Sequence, residues 1–474
     1  MRGILSSGGY VPFRRLRRSA VPELLGTGGG KGTRSVAGYD EDTTTMGLEA
    51  ARLALAAVPA AAPDSLWFTT PTPAYADKTN ATAIHAALRL PSEVPALDFG
   101  GGLRSGIGAL AAGLKGNGTT LVVMADQRDG LPGGPDETFV GDGAAALLVG
   151  DDGPGAPVIA ELLASGSATD EFTDRWRTPG ERRSKVWEER FGETRYLPLA
   201  REAWERALKA ASLDAGAVDR VVVTSMHGRA AKAVAGALGV VKEAVADDLA
   251  ATVGQAGAAH PGLVLTSILE SAQPGQVVAV VHLADGAEVL LVRTTEAIAA
   301  YSPEWPVADQ ISVGSELAYG KFLSWRGMLS PEPPRRPEPL RVQSPPAWRA
   351  EDWKFAFVGS RDRSSGAIHL PPSRVSMAGG AVDDMEPICL AGTCGTIATF
   401  TIDRIAYSPS PPIVFAVVDF DGGGRYPVEL TDVDADTLSV GDRVEMTFRR
   451  LYSADGVHDY FWKARPVRRA PQGS

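Results

Sequence analysis

Asp142-Gly-Ala-Ala-Ala-Leu-Leu-Val-Gly150 and Asp285-Gly-Ala-Glu-Val-Leu-Leu-Val-Arg293 are two versions of one segment, identical at six of nine positions and 143 residues apart (285 minus 142). In each, an aspartate and a glycine lead into an apolar run. Glycine lets the backbone turn tightly before it enters a packed strand, which explains the local pattern but not its recurrence. The recurrence predicts two copies of one fold in the first two thirds of the chain.

Short apolar runs flank both copies: LVVMAD at Leu121 to Asp126, RVVVTSM at Arg220 to Met226, QVVAVVHLAD at Gln276 to Asp285. They alternate with helical patterns such as TTTMGLEAARLALAAV, where Asp42 or Thr43 can cap the first amides. This rhythm predicts an α/β architecture with buried strands. Glu171 to Ala211, rich in Arg, Glu and Trp, reads as a helical excursion over the core. From Pro331 to Ala347 seven of seventeen residues are proline, which excludes a helix interior or central strand and predicts a linker or extended strap. From Cys389 onward short β-rich runs alternate with turns, as in TIATFTIDRIAY and RVEMTFRRLY, predicting a small antiparallel barrel.

A chain of 474 residues exceeds what one hydrophobic core supports. The net charge of -10 argues against non-specific nucleic-acid binding. No apolar run is long enough for a membrane span, and no apolar core follows the early arginines, so a cytoplasmic protein is expected. Two cysteines, Cys389 and Cys394, exclude a disulfide framework and are expected to be reduced core thiols.

Three motifs carry a family resemblance: Tyr10-Val-Pro12, Arg34-Ser-Val-Ala-Gly-Tyr-Asp40-Glu41-Asp42-Thr43, and Phe139-Val-Gly141-Asp142-Gly143. Over roughly residues 1 to 325 the chain resembles the hydroxymethylglutaryl-CoA synthase branch of the thiolase superfamily. The resemblance implies a duplicated five-layered α/β fold, usually dimeric, with a CoA tunnel ending at a buried pocket. The C-terminal part resembles the OB-fold domain that accompanies many thiolase-like enzymes. The expected divisions are 1–165 and 166–325 for the two halves, 326–350 for the linker, 351–388 for a degenerate zinc-ribbon-like segment and 389–468 for the barrel.

In that family a cysteine at the start of a buried helix is acylated, favoured by the helix dipole and adjacent amides. The matching stretch, Asp98-Phe-Gly-Gly-Gly-Leu103-Arg104-Ser105, places Leu103 there, and no cysteine precedes position 389. Leucine can neither attack nor carry an acyl group. Ser105 is read as a helix cap, with a substitute nucleophile as the alternative. The family's general acid/base glutamate becomes Pro73 in Thr72-Pro73-Ala74-Tyr75-Ala76-Asp77-Lys78, where Tyr75 is either packing or a proton donor.

More survives in the second half. Met226-His227-Gly-Arg229-Ala-Ala-Lys232 follows a strand as the family's catalytic histidine does. The resemblance implies that His227 binds the thioester oxygen or moves a proton, with Lys232 and Arg229 toward the CoA phosphates; a solvated helix face is the other reading of Lys232. The family's asparagine becomes Gln255, one methylene longer, and His260 is a second imidazole five residues on, either catalytic or packing.

In the ribbon-like segment, Asp362 and Ser365, then Ser376 and Gly379, stand where four cysteines would hold zinc. With no thiolate there, no zinc is expected, and packing is expected to hold the loop. Two functions compete. One is carbon-carbon bond formation or cleavage on an acyl-CoA thioester, hydroxymethylglutaryl-CoA synthase-like or aldolase-like, without a cysteine nucleophile. The other is a non-catalytic subunit that binds a CoA thioester or scaffolds an active homologue. The expected ligand is an acyl-CoA or acyl-carrier thioester, and the expected assembly a homodimer, possibly with another thiolase-like subunit.

Overall fold

In the computed structural model, which describes residues 1–468, the apolar runs become the strands of one mixed nine-stranded sheet. In chain order these are β1 (Arg2–Tyr10), β2 (Ser65–Thr69), β3 (Ala96–Asp98), β4 (Thr120–Asp126), β5 (Gly143–Asp151), β6 (Ala160–Thr169), β7 (Arg220–Ser225), β8 (Val277–Leu283) and β9 (Gly286–Thr294). Their spatial order is β7-β8-β9-β6-β1-β5-β4-β2-β3. The centre is a short antiparallel contact of β1 with β6 at Gly3↔Glu161 and Ile4↔Ala160. On either side the pattern repeats: an antiparallel partner (β5 or β9), then parallel strands. The two echoed segments are the equivalent strands β5 and β9, so the recurrence in the sequence is a duplicated fold.

Five helices build the layers. They are α1 (Thr43–Ala56), α2 (Ser105–Lys115), α3 (Glu189–Ala211), α4 (Gly228–Ala235) and α5 (His260–Leu269). Helix α5 exposes almost nothing, because Leu263, Val264, Leu265 and Leu269 pack into the same core as Ile107 and Leu110 of α2. A helix that is apolar all round belongs in the interior, and α2 and α5 form the middle layer of a five-layered thiolase-type arrangement, in contact with strands of both halves of the sheet. Helices α3 and α4 cover the second half through Ala200, Ala203, Ala207 and Val234 against Val221, Val281 and Leu291.

These elements, apart from the first three residues of α1, lie in a unit made of residues 1–37, 46–82 and 92–322. A second unit contains residues 38–45, 83–91 and 323 onward. In it β10 (Val358–Asp362), β11 (Ile368–His369) and β12 (Met385–Cys389) form a small sheet, and β13 (Gly395–Asp403), β14 (Ile413–Phe420), β15 (Arg425–Leu430), β16 (Arg443–Ala454) and β17 (Val457–Pro466) a closed barrel. The short segment Gly38–Thr45 supplies the acidic side of a buried ion cluster. Arg449 lies 3.1 Å from Glu41 and 3.2 Å from Asp432, and Lys463 lies 3.0 Å from Asp40 and also pairs with Glu429. Arg449 and Lys463 are fully buried. Burial lowers the Lys463 ammonium's pKa, but Asp40, Tyr39 and Glu429 outweigh that and hold it above its usual value.

Three expectations need correction. The excursion is helical only from Glu189 on; Arg175–Trp176 and Lys185–Val186 form a small hairpin instead, with Pro179 and Gly180 interrupting any helix before it. The barrel is not wholly antiparallel, since closing it sets β17 parallel to β15 at Leu430↔Ala464. Cys389 is exposed at the end of β12 and Cys394 half-buried, so neither is a core thiol, although both are free.

Candidate functional site

Helix α2 starts where the resemblance puts the nucleophile. The Ser105 hydroxyl accepts from the Gly102 amide at 3.0 Å, and the Ser105 amide returns to the Gly102 carbonyl at 3.1 Å, closing the entry turn. The next-door Arg104 reaches into the other half. Its guanidinium bonds Ser167 at 2.7 Å, Thr169 at 3.0 Å and the carbonyls of Asp285 and Ala287 at 3.1 Å, and pairs with Glu288 at 2.9 Å. The strand-entry residue Asp285 thus anchors the helix start. The Leu103 carbonyl accepts from His282 Nε2 at 3.2 Å.

Three imidazoles are set in one tautomer by their neighbours. A ring nitrogen that accepts from an N–H or O–H is the unprotonated one, which leaves the proton on the other. His227 caps α4 by accepting the Ala230 amide on Nδ1 at 3.0 Å, so Nε2 carries hydrogen and donates to the Glu189 carbonyl at 2.9 Å. His282, on β8, takes the Thr224 hydroxyl on Nδ1 at 2.8 Å and donates from Nε2 to Leu103. His260, at the start of α5, accepts the Ala256 amide on Nδ1 at 3.3 Å, and its buried Nε2 makes no well-formed hydrogen bond among the described residues, the Asp248 backbone being the acceptor that acts on the ring. Burial pushes His260 down to about 4. His282 falls to about 3, through burial first and then the neighbouring His260. Both are neutral near pH 7.

The loop carrying Pro73 is tied to a buried carboxylate. Asp126, the last residue of β4, accepts the Thr72 hydroxyl at 3.0 Å and the Ala258 amide at 3.1 Å, with Arg128 at 3.8 Å. Burial raises its pKa above the usual range and outweighs Arg128 and these hydrogen bonds. Arg177 holds the Pro71 carbonyl of the same loop at 2.7 Å. Gln255 is fixed through its backbone to Phe139 and Gly141, both at 3.0 Å, with its side chain buried.

A cleft of about 900 Å³ opens beside Phe139 and His227; Asp126, Gln255 and His260 are not among the residues that line it. Its lining includes Phe139, Trp176 and Trp187, the cations Arg175, Arg183, Lys185 and Arg229, and His227. Arg175 is held by Asp136 at 2.8 Å and Arg229 by Glu193, while Arg183 has no ion pair among the described residues. Lys232, exposed on α4, is not among the residues that line it.

Comparison with known proteins fits this geometry. The hydroxymethylglutaryl-CoA synthase of Thermococcus sibiricus is 30% identical over 296 residues, covering 60% of this chain and 83% of that protein. The chain belongs to the hydroxymethylglutaryl-CoA synthase family. The synthase of Aeropyrum pernix is 29% identical over 346 residues, 69% of this chain and 94% of its own. Among solved structures, a hydroxymethylglutaryl-CoA synthase complexed with CoA matches at TM-score 0.56 and 18% identity over 68% of this chain and 89% of that one, a likeness of fold. Residues 390–449 match the model of the ChsH2 C-terminal OB-fold domain.

Within this hydroxymethylglutaryl-CoA synthase frame the residues singled out in the sequence fall into two groups. His227 and Arg229 line the cleft; His260 lies inside, next to His282, and Gln255 sits between them in the chain segment that packs on Phe139. No hydrogen bond or ring contact joins His227 to His260. Sequence reasoning passed over His282 and Asp126, which lie inside runs read only as strands. Their signal was a polar residue at the carboxyl end of an otherwise apolar strand, the end at which α/β sheets place their ligands.

Proposed function

We propose that this chain binds an acyl-CoA thioester and makes or breaks a carbon-carbon bond on it without an acyl-enzyme. The observation that carries the reading is His260: a neutral imidazole, wholly buried, whose Nε2–H makes no well-formed hydrogen bond among the described residues, the Asp248 backbone being the acceptor that acts on the ring. A buried donor whose hydrogen bond is poorly made is costly, and a thioester oxygen that gains negative charge would be a stronger acceptor than a backbone carbonyl. Such a preset donor stabilises an enolate oxygen without reorganising.

In this reading the nucleotide arm lies along the cleft, its phosphates against Arg183, Lys185 and Arg229 and its adenine near Trp176 and Trp187. The acyl end passes His227 toward His260. Asp126 removes a proton from the carbon next to the thioester; the enolate adds to a ketone carbonyl, and the resulting alkoxide takes that proton back. Asp126, a carboxylate with a raised pKa beside the Pro73 loop, is the group assigned to that proton. Leu103 takes no part in bond making. An acyl-carrier thioester would use the same inner site without the nucleotide contacts. The protein is proposed to work in the cytoplasm as a homodimer.

One observation favours a second reading, a CoA-thioester-binding subunit without turnover: both His227 nitrogens are already bonded to backbone groups. Titration calorimetry with CoA and acetyl-CoA, followed by turnover assays on a panel of 3-hydroxyacyl-CoA thioesters, separates them. Binding with turnover that falls in His260→Ala supports catalysis; binding with no turnover on any thioester supports the second reading; absence of CoA binding refutes both.

A further inference from the structure

Two turns in the second unit share one hydrogen-bond pattern. In the first, the Asp362 amide donates to the Ala367 carbonyl at 2.9 Å and the Gly366 amide to the Asp362 carbonyl at 2.8 Å. In the second, the Ser376 amide donates to Ala381 at 2.8 Å and the Gly380 amide to Ser376 at 3.0 Å. Gly366 and Gly380 both take positive φ, +75° and +69°. The turns are therefore copies, each offering side chains at its first and fourth positions: Asp362 and Ser365, Ser376 and Gly379.

All four positions meet at one point. Asp362 Oδ2 accepts the Ser365 hydroxyl at 2.6 Å, Oδ1 accepts the Ser364 amide at 2.8 Å, and the Ser376 hydroxyl, whose oxygen accepts the Ala378 amide at 3.3 Å, is near enough to help hold the carboxylate's pKa below its usual range. A Cβ on Gly379 would stand 3.6 Å from Oδ2. Asp362 is fully buried and Ser376 nearly so. Paired turns with ligands at first and fourth positions have the spacing of a four-cysteine structural zinc site. The donors present do not fit one. A single carboxylate with two neutral hydroxyls supplies neither the thiolates zinc takes nor the six or more oxygens calcium takes. His369 accepts the Met377 amide on Nε2 at 2.9 Å, while its buried Nδ1 makes no hydrogen bond among the described residues.

We propose that these turns form a four-ligand knuckle in which the Asp362 carboxylate stands where a metal ion would, with the ligand positions of both turns converging on it. The loop is thus held by a polar hub and not by packing alone, and the second unit folds without metal.

The test uses the full-length protein. Elemental analysis of purified wild type should give less than about 0.1 zinc per chain, and unfolding should be indifferent to a chelator. The D362C/S365C/S376C/G379C variant should bind one Co²⁺ per chain with the absorption of a tetrahedral tetrathiolate site. Asp362→Asn, which keeps the shape, should raise amide exchange across residues 362–381. Stoichiometric metal in the wild type would overturn the proposal, as would a folded four-cysteine variant that fails to bind Co²⁺. If that variant does not fold, exchange in Asp362→Asn decides: unchanged protection of both turns overturns the hub.

Discussion

The Nε2 hydrogen of His227 is held by the backbone carbonyl of Glu189, 2.9 Å away, at the first residue of α3. A peptide carbonyl is a close chemical analogue of a thioester carbonyl, so substrate oxygen and Glu189 compete for one donor. The helix also presses on the ring: a Cβ on Gly192 would come within 2.6 Å of His227 Cδ2. If a thioester uses His227, the start of α3 must move. Acetyl-CoA is therefore expected to raise hydrogen exchange of amides at the start of α3, near residues 189–193, and unchanged exchange despite measurable binding would mean that His227 stays with the backbone.

The phosphate arm makes a separate prediction. Arg183→Glu combined with Arg229→Glu should weaken CoA binding by about 10-fold or more, since each reversal replaces attraction by repulsion near the phosphates. Lys232→Glu, outside the cleft, should change it less than 3-fold. Calorimetry reads both.

Catalytic loss should be centred on the inner imidazole. His260→Ala is expected to lower turnover by about 10²–10³-fold, as for removal of one donor from an oxyanion site, with CoA affinity within about 3-fold of wild type. Steady-state assays on the thioester that turns over measure this.

Acid should destabilise the protein earlier than carboxylate titration would. His260 and His282 have folded pKa values of about 4 and 3, below the unfolded value near 6.5. The unfolded chain binds their protons first, so stability is lost as pH falls from about 6.5 toward 4. Each imidazole accounts for roughly 2 kcal/mol at pH 5 by linkage. Denaturant unfolding at pH 7 and pH 5 reads the loss, and His282→Gln should remove about half of it.

The ion cluster of the second unit should be intolerant of half-deletion. Asp40→Ala leaves Lys463 and Arg449 buried with fewer counter-charges, which costs about 3–5 kcal/mol. Thermal unfolding of the full chain measures it.

What could be read from the sequence depended on range. The duplicated halves were legible because strand composition and the Asp-Gly entries at 142 and 285 are local. That no cysteine precedes position 389 was legible because it needs only an absence. His282 and Asp126 were not, because their importance comes from partners far along the chain, Leu103 and Thr72. The Tyr39–Asp42 segment was legible as a family motif, yet its place opposite Arg449 and Lys463 depends on a pairing some 400 residues away that no periodicity encodes.

The central claim is turnover without a covalent acyl intermediate. Intact-protein mass spectrometry of the enzyme quenched during steady-state turnover of its thioester tests this most directly. The account predicts the unmodified mass of the chain at every time point while product accumulates. A mass increase equal to the acyl group, mapped to Ser105 or any other side chain and lost on its substitution, would contradict it.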